Sequence, residues 1–261
     1  MYGRRYRPRS AGLVVDEMEY DLSLFPFLKE IMIEDDTLGL RRHQQRLRDI
    51  CEEILRRGLK ISWSANLRAD MDDLDLLRLM KRAGCRWVCV GFEFGDQTIL
   101  NNVRKGTKLE HMRRFAELAH RSGLQVNGCF MIGGPGETWE TAKKTIEFAK
   151  SLPITNAQFT GVVAYPGTEY YQWAKDNGYL VPKDWPEWVD ENLEQRTVVS
   201  LPELTKEQID QLVDLGLREF YLRPSQMWRI LMSIHSFAEL KSKLYGLLSF
   251  VDYFGARCAC K

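Results

Sequence analysis

Five polar or glycine-rich segments carry the residues whose types can do chemistry. Asp35 and Asp36 offer acceptors for an ammonium group. Asn66 and Arg68 set an amide beside a guanidinium, the cation whose planar fork clamps a carboxylate bidentately. Glu93 closes an apolar run, where a carboxylate is costly unless it meets a ligand or a cation. Gly133, Gly134 and Glu137 belong to a Gly-Gly-Pro-Gly-Glu turn whose small residues let backbone groups approach a ligand closely. Tyr165, Pro166 and Gly167 form the fifth segment. Each has a plain structural alternative: Asp35 or Asp36 as a helix cap, Arg68 as the surface partner of Asp70 or Asp72, the glycines as a turn, Glu137 as a cap of the following helix.

Apolar stretches precede all five segments, and residues 28–33, 60–64, 87–92, 125–132 and 157–164 read as buried strands. Between them, three-four periodicity predicts helices over 40–59, 72–83, 110–121 and 138–152, with Gly58, Gly84 and Gly123 at three of the ends. Alternating strands and helices imply parallel crossovers, hence an α/β fold that is either doubly wound or a barrel. In both, ligands belong at the carboxyl ends of the strands, where the five segments fall. Residues 182–188, rich in Trp and Pro, read as irregular cover for one end. Beyond Pro202 the pattern is helical: Thr205 and Gln208 make a capping pair for a helix to about Leu222, Arg223-Pro224-Ser225 breaks it, and two more helices reach Phe254.

Bulk properties exclude more than they assign. Lys plus Arg number 37 against 36 Asp plus Glu, a net charge of +1 that offers no field to steer nucleic acid or an anionic membrane. The sequence has neither the long apolar run of a transmembrane helix nor the opening of a signal peptide, so a cytoplasmic protein with no transmembrane segment is expected. Cys51, Cys85, Cys89, Cys129, Cys258 and Cys260 are scattered, which argues for reduced thiols, with core packing expected of Cys85 and Cys89 and a frayed tail around Cys258 and Cys260. His43, His111, His120 and His235 fall on helical patterns away from the strand ends, and no residue is singled out as catalytic.

Taken in order, the segments resemble the radical S-adenosylmethionine superfamily, in particular the branch often fused to a cobalamin-binding domain. The resemblance rests on Gly3-Arg4-Arg5-Tyr6-Arg7-Pro8-Arg9-Ser10, Ile33-Glu34-Asp35-Asp36-Thr37, Trp63-Ser64-Ala65-Asn66-Leu67-Arg68, Gly91-Phe92-Glu93, Ile132-Gly133-Gly134-Pro135-Gly136-Glu137-Thr138, Pro166-Gly167-Thr168 and Phe220-Tyr221-Leu222-Arg223-Pro224-Ser225, which cover nearly the whole chain. It implies a partial parallel (β/α) barrel over residues 1–198 and a C-terminal helical extension over 199–261. It also implies reductive cleavage of S-adenosylmethionine to a 5'-deoxyadenosyl radical, with hydrogen abstraction or methylation of a small-molecule substrate, an external electron donor, a 4Fe-4S cluster, and cobalamin through an N-terminal domain or chain outside this sequence. On this pattern Asp35 and Asp36 would meet the methionine amino group, Arg68 with Asn66 its carboxylate, Glu93 the ribose or methionine, and the 133–137 turn with Tyr165, Pro166 and Gly167 the adenine side. Where the family pattern often has Gly, Phe130 stands.

The family's C-x-x-x-C-x-x-C loop, which binds three irons, occurs nowhere in the 261 residues. The expectation is therefore a fragment lacking the first strand and the cluster loop, with no metal ligands of its own, inactive alone. A second reading is a non-catalytic remnant or partner subunit that keeps the barrel. A third, an unrelated phosphate-binding barrel, would use the 133–137 turn as an anion site. The aromatics at Trp185 and Trp188 suggest a large hydrophobic substrate.

Overall fold

In a computed structural model of the chain, residues 7–35, 38–191, 193, 195–232, 234 and 237–259 are described. Asp36, His235 and Cys260, and the segment Gly3 to Tyr6, lie outside them, as does the Cys258 side chain. The chain divides into two compact units, residues 1–220 and 221–261.

The first unit alternates helix and strand: α1 (Ala11–Leu24), β1 (Glu30–Ile33), α2 (Gln44–Arg57), β2 (Ser62–Arg68), α3 (Leu74–Arg82), β3 (Cys85–Glu93), α4 (Gln97–Asn102), α5 (Leu109–Ser122), β4 (Gln125–Ile132), α6 (Trp139–Ser151), β5 (Asn156–Gly161), α7 (Glu169–Asp176) and α8 (Lys206–Tyr221). The five strands are parallel and lie in the order β1-β2-β3-β4-β5. That order chooses between the two architectures the sequence left open. A doubly wound sheet reverses its strand order at a switch point, whereas here each strand adds beside its predecessor, as in a barrel. The sheet is open, with β1 and β5 at its edges.

Capping residues explain the helix limits. Gly58 and Gly123, both left-handed, end α2 and α5, and the Asp73 carboxylate starts α3 by accepting from the Leu76 amide. Thr205 and Gln208 bond reciprocally ahead of α8, as their spacing predicts. Helices α1, α4 and α7 were not foreseen. For α1 the signal was Ser10, whose hydroxyl accepts from the Leu13 amide, but the helix buries only Val15 and Met18 and so shows a weak apolar stripe.

The two faces of the sheet differ sharply. Val88, Val90, Phe92, Val126, Phe130, Ile132, Ala157 and Phe159 are buried beneath the helices. There Phe130 stacks between Phe92 and Phe159, at 5.4 and 5.3 Å, and the row ends on Phe115 of α5 and Phe220 of α8. Each such aromatic pair adds about 0.5–1.5 kcal/mol beyond its area. The alternate residues, among them Ser64, Asn66, Arg68, Cys89, Gly91, Asn127, Cys129 and Gln158, form the opposite, inner face, which is polar. A buried apolar face and a polar inner face are what a partial barrel with an internal site requires.

The second unit comprises the C-terminal helices α9 (Pro224–Met232) and α10 (Phe237–Ala259). Among the described residues no helix is long and apolar enough to cross a membrane.

Candidate active site at the strand ends

Glu93 is the centre of the site. It ends β3 with a backbone φ of 66°, a left-handed conformation that costs a residue with a side chain about 1–2 kcal/mol. The register between β3 and β4 shifts between Gly91 and Glu93, a bulge that re-aims the carboxylate. Its Oε1 accepts from Lys105 Nζ at 2.5 Å, and both side chains are largely shielded, at 16% and 23% exposure. The other oxygen, Oε2, is buried with no hydrogen-bond partner. Gly91 makes this possible, because a Cβ there would stand 2.4 Å from Glu93 Oε1 and 3.2 Å from Lys105 Nζ. Lys105 has no sequence motif around it and was not foreseen.

Asn66 and Arg68 lie within the last three residues of β2 rather than past it, since the strand extends to Arg68. Their alternation with Leu67 puts both on the inner face. Arg68 Nε contacts Asp70 Oδ2 at 3.1 Å, the pairing weighed as its structural alternative, and Asp70 Oδ1 is buried without a partner. Asn66 Nδ2 donates to the carbonyl of Asp35 at 3.3 Å, which ties the end of β1 to the end of β2. Ser64, on the same face, is 1% exposed and its hydroxyl has no partner. Buried polar atoms are normally satisfied, so the unpartnered oxygens of Glu93 and Asp70, at the ends of two neighbouring strands, leave room for polar ligand groups, whereas Ser64 lies further back, opposite Trp87.

The 133–137 turn is organised differently. Glu137 is fully buried and accepts from the amides of Gly133 at 2.5 Å and Gly134 at 3.0 Å. Helix α6 is instead capped by a Thr138–Thr141 capping box, so Glu137 holds the turn and not the helix start. Burial pushes its carboxyl up to about 7, against the lowering effect of the two amides. Tyr170 closes the turn from outside, donating its hydroxyl to the Gly133 carbonyl at 2.8 Å. Gly133 has a φ of 102°, and a Cβ there would meet Ile209 at 2.9 Å; one on Gly134 would meet Phe94 at 2.8 Å. Here the glycines admit protein side chains.

Tyr165, Pro166 and Gly167 follow β5 in an exposed loop. Tyr165 is 57% exposed and its hydroxyl meets Gln195 at 3.3 Å; Thr168 caps α7. Trp185 and Trp188 pack in a tilted pair, ring centres 5.1 Å apart, beside Tyr171.

Two cofactor fits follow from these residues. The chemistry of the donor set suits S-adenosylmethionine: Arg68 and Asn66 match a carboxylate, while the unpartnered oxygens of Glu93 and Asp70 match ammonium or ribose hydroxyl groups. A 4Fe-4S cluster does not fit, because among the described residues no group of three or more His, Cys, Asp or Glu side chains could hold a metal ion.

Comparison with known proteins agrees with the fold and with the family resemblance. The chain is 34% identical over 250 residues to an uncharacterized methyltransferase of Pyrococcus horikoshii, covering 95% of this chain and 52% of that protein. It is 29% identical over 178 residues to the anaerobic magnesium-protoporphyrin IX monomethyl ester cyclase of Rubrivivax gelatinosus, covering 66% of this chain and 31% of the relative. The chain thus spans about half, or less, of the length of these relatives. Among solved structures, the radical S-adenosylmethionine methyltransferase TsrM of Kitasatospora setae, with cobalamin and a [4Fe-4S] cluster bound, superposes with a TM-score of 0.54 at 26% identity, over 61% of this chain and 32% of that one. The cobalamin-dependent S-adenosylmethionine radical enzyme OxsB superposes over 94% of this chain and 42% of its own, with a TM-score of 0.64 at 17% identity, a likeness of fold. The profile of the Radical SAM superfamily matches residues 1–149, more than half of the chain, and the chain belongs to that superfamily.

Proposed function

We propose that this chain is the S-adenosylmethionine-binding core of a radical enzyme of methyltransferase type, whose cluster thiolates come from sequence other than these residues. The observation that carries the reading is the Glu93 carboxylate, held in strained backbone by Lys105 with one oxygen buried and unpartnered. Strain of this kind persists only where the surroundings impose it, and it concentrates at ligand sites.

When bound, S-adenosylmethionine supplies a sulfonium centre whose carbon–sulfur bonds are the reactive ones. The chain's part is to bind and orient. Arg68 and Asn66 fix the amino-acid end, Glu93 accepts from a hydroxyl or ammonium donor, and Lys105 pairs with Glu93 and holds it in place. Asp35 sits just past the end of β1 to meet the ammonium group, a role the family resemblance also gives to Asp36. Glu137 and Tyr170 hold the turn after β4 so that Gly133 and Gly134 keep one conformation, and Tyr165, Pro166 and Gly167 border the adenine side. In this reading residues 1–198 are the barrel portion and 199–261 its extension.

The whole protein, in the same reading, cleaves S-adenosylmethionine reductively with electrons from an external donor, uses cobalamin held outside this chain, and acts on a small molecule in the cytoplasm. The similarity to a cyclase of a tetrapyrrole ester and to methyltransferases supports a large, largely hydrophobic substrate.

Titration calorimetry with S-adenosylmethionine tests the core of the proposal. Binding by the isolated chain that falls at least about tenfold, roughly 1.4 kcal/mol, in Glu93→Gln is expected. No binding, or equal binding by the variant, overturns it. Anaerobic reconstitution with iron and sulfide is expected to give no stoichiometric cluster; a cluster whose absorption changes on adding S-adenosylmethionine would show that the chain supplies its own ligands.

A further inference from the structure

The cysteines separate into two kinds. Cys51 and Cys85 are buried and their thiols are pushed up by desolvation, Cys51 to about 12, which makes them inert packing groups. Cys89 and Cys129 are half-buried on the inner face, with their sulfurs 3.4 Å apart. The core role expected of Cys89 is therefore corrected. A register shift between Trp63 and Ser64, opposite Cys85 and Trp87, inserts Arg86 as an extra residue. This bulge sends Cys85 and Cys89 to opposite faces although they are four residues apart.

The pair is fixed by the sheet. Cys89 pairs in register with Asn127 and Cys129 with Gly91, so the two thiols are diagonal neighbours on adjacent central strands. Asn127 Nδ2 points at the Cys89 sulfur at 3.8 Å, and the Cys129 sulfur lies 3.4 Å from it, so that either thiol can donate to the other. Gln158 Oε1 lies 3.9 Å from the Cys129 sulfur. Two donors converging on one sulfur favour its thiolate: hydrogen bonding from Cys129, then from Asn127, holds Cys89 down at about 7, while Cys129 is raised. A nucleophilic thiolate beside a protonated resolving thiol, both reachable from the inner face, is the arrangement of a reactive dithiol.

We propose that Cys89 and Cys129 form a dithiol–disulfide couple on the inner face of the barrel, whose oxidant is a small-molecule disulfide. The Cys89 thiolate attacks one sulfur of the disulfide, forming a mixed disulfide and releasing one thiolate. Cys129 then loses its proton and attacks the Cys89 sulfur; the Cys89–Cys129 bond forms and the second thiolate leaves. The two protein thiols are oxidised, the small disulfide is reduced to two thiols, and the two protons lost by the protein go to those thiols. The sulfurs must close from 3.4 Å to about 2.05 Å, and because diagonal strand neighbours start with Cα atoms about 7–8 Å apart, the two strands must also draw together locally as the bond forms. This couple is independent of how S-adenosylmethionine binds.

Equilibrating the reduced chain anaerobically with glutathione disulfide, followed by alkylation and tryptic mass spectrometry, reads the couple directly. The expected product links the peptides of residues 87–104 and 122–143 and returns to two free thiols with dithiothreitol. Cys129→Ser is expected to stop at a glutathione adduct on Cys89, and at pH 7 Cys89 should alkylate about tenfold faster than Cys51. Cys89→Ser should leave Cys129 unmodified. If the unmutated chain keeps both thiols alkylatable after equilibration, the couple does not exist, and that outcome needs no variant to fold. An adduct on Cys129 that survives in Cys89→Ser would overturn the assignment of Cys89 as the nucleophile.

Discussion

Lys105 reaches Glu93 from the segment after α4 and occupies one oxygen of its carboxylate at 2.5 Å, leaving the other buried and unpartnered. A carboxylate so placed costs stability unless its cation stays, so the two residues are energetically coupled. Lys105→Met should destabilise the chain by about 1–3 kcal/mol, discounted from a fully buried pair because both partners keep some solvent contact. Glu93→Gln should relieve most of that loss when combined with it. Urea denaturation of the two single variants and the double variant reads the coupling; additive losses would show that the pair is incidental.

Gly91 separates binding from folding. Its alanine variant puts a methyl group 2.4 Å from Glu93 Oε1, the end of a flexible side chain that can swing away. The expected result for Gly91→Ala is a stability change under about 1.5 kcal/mol with a loss of S-adenosylmethionine affinity of about tenfold or more. Calorimetry and denaturation on the same sample decide it, and full affinity in the variant would place the ligand away from Glu93.

Glu137 gives a pH signature. Its carboxyl is raised from an ordinary 4.5 to about 7 because burial outweighs the two amides it accepts from. Between those values the folded chain holds a proton that the unfolded chain has released, so stability falls as pH rises from about 4.5 to about 7 and is level beyond. A shift of this size corresponds to about 3 kcal/mol. Glu137→Gln, which keeps an acceptor for Gly133 and Gly134, should lose that slope. Denaturation midpoints of chain and variant from pH 4.5 to 7.5 must converge or cross across this window; parallel curves would mean that Glu137 is not the group titrating.

The legible part of this molecule was its rhythm. Apolar runs ending in polar or glycine-rich segments located all five strands, and capping at Gly58, Gly123 and Thr205 located helix ends to within a few residues. Barrel against doubly wound sheet was not legible, because it depends on strand order and not on local pattern. Lys105 was invisible because the Glu93 partnership arises from a positive φ and a bulge, neither of which leaves a composition mark. Cys89 was read as a core residue because free cysteines are usually buried; its face, opposite to that of Cys85, is set by a bulge that inserts Arg86 and leaves no mark in composition. Glu137 was placed in the cofactor-binding turn with helix capping as the alternative; Thr138 and Thr141 take the capping role, and Glu137 holds the turn.

Phe130 tests whether the two faces of the sheet are functionally separate. It stands where the family pattern often has Gly, yet its ring points away from the inner face and stacks between Phe92 and Phe159 with no solvent exposure. Gly128 leaves the space it occupies, since a Cβ there would come within 3.0 Å of the Phe130 ring. Truncation to alanine empties that space and removes two stacked contacts, at an expected cost of about 3–5 kcal/mol. Ligand affinity depends on inner-face groups that Phe130 does not touch, so the folded fraction of Phe130→Ala should bind S-adenosylmethionine within about threefold of the parent, a difference of about 0.7 kcal/mol. A large affinity loss with little change in stability would mean that this ring, and not only Glu93 and Arg68, shapes the ligand site. Because Gly91→Ala should show the opposite pairing of effects, the two variants measured together distinguish packing on one face from binding on the other.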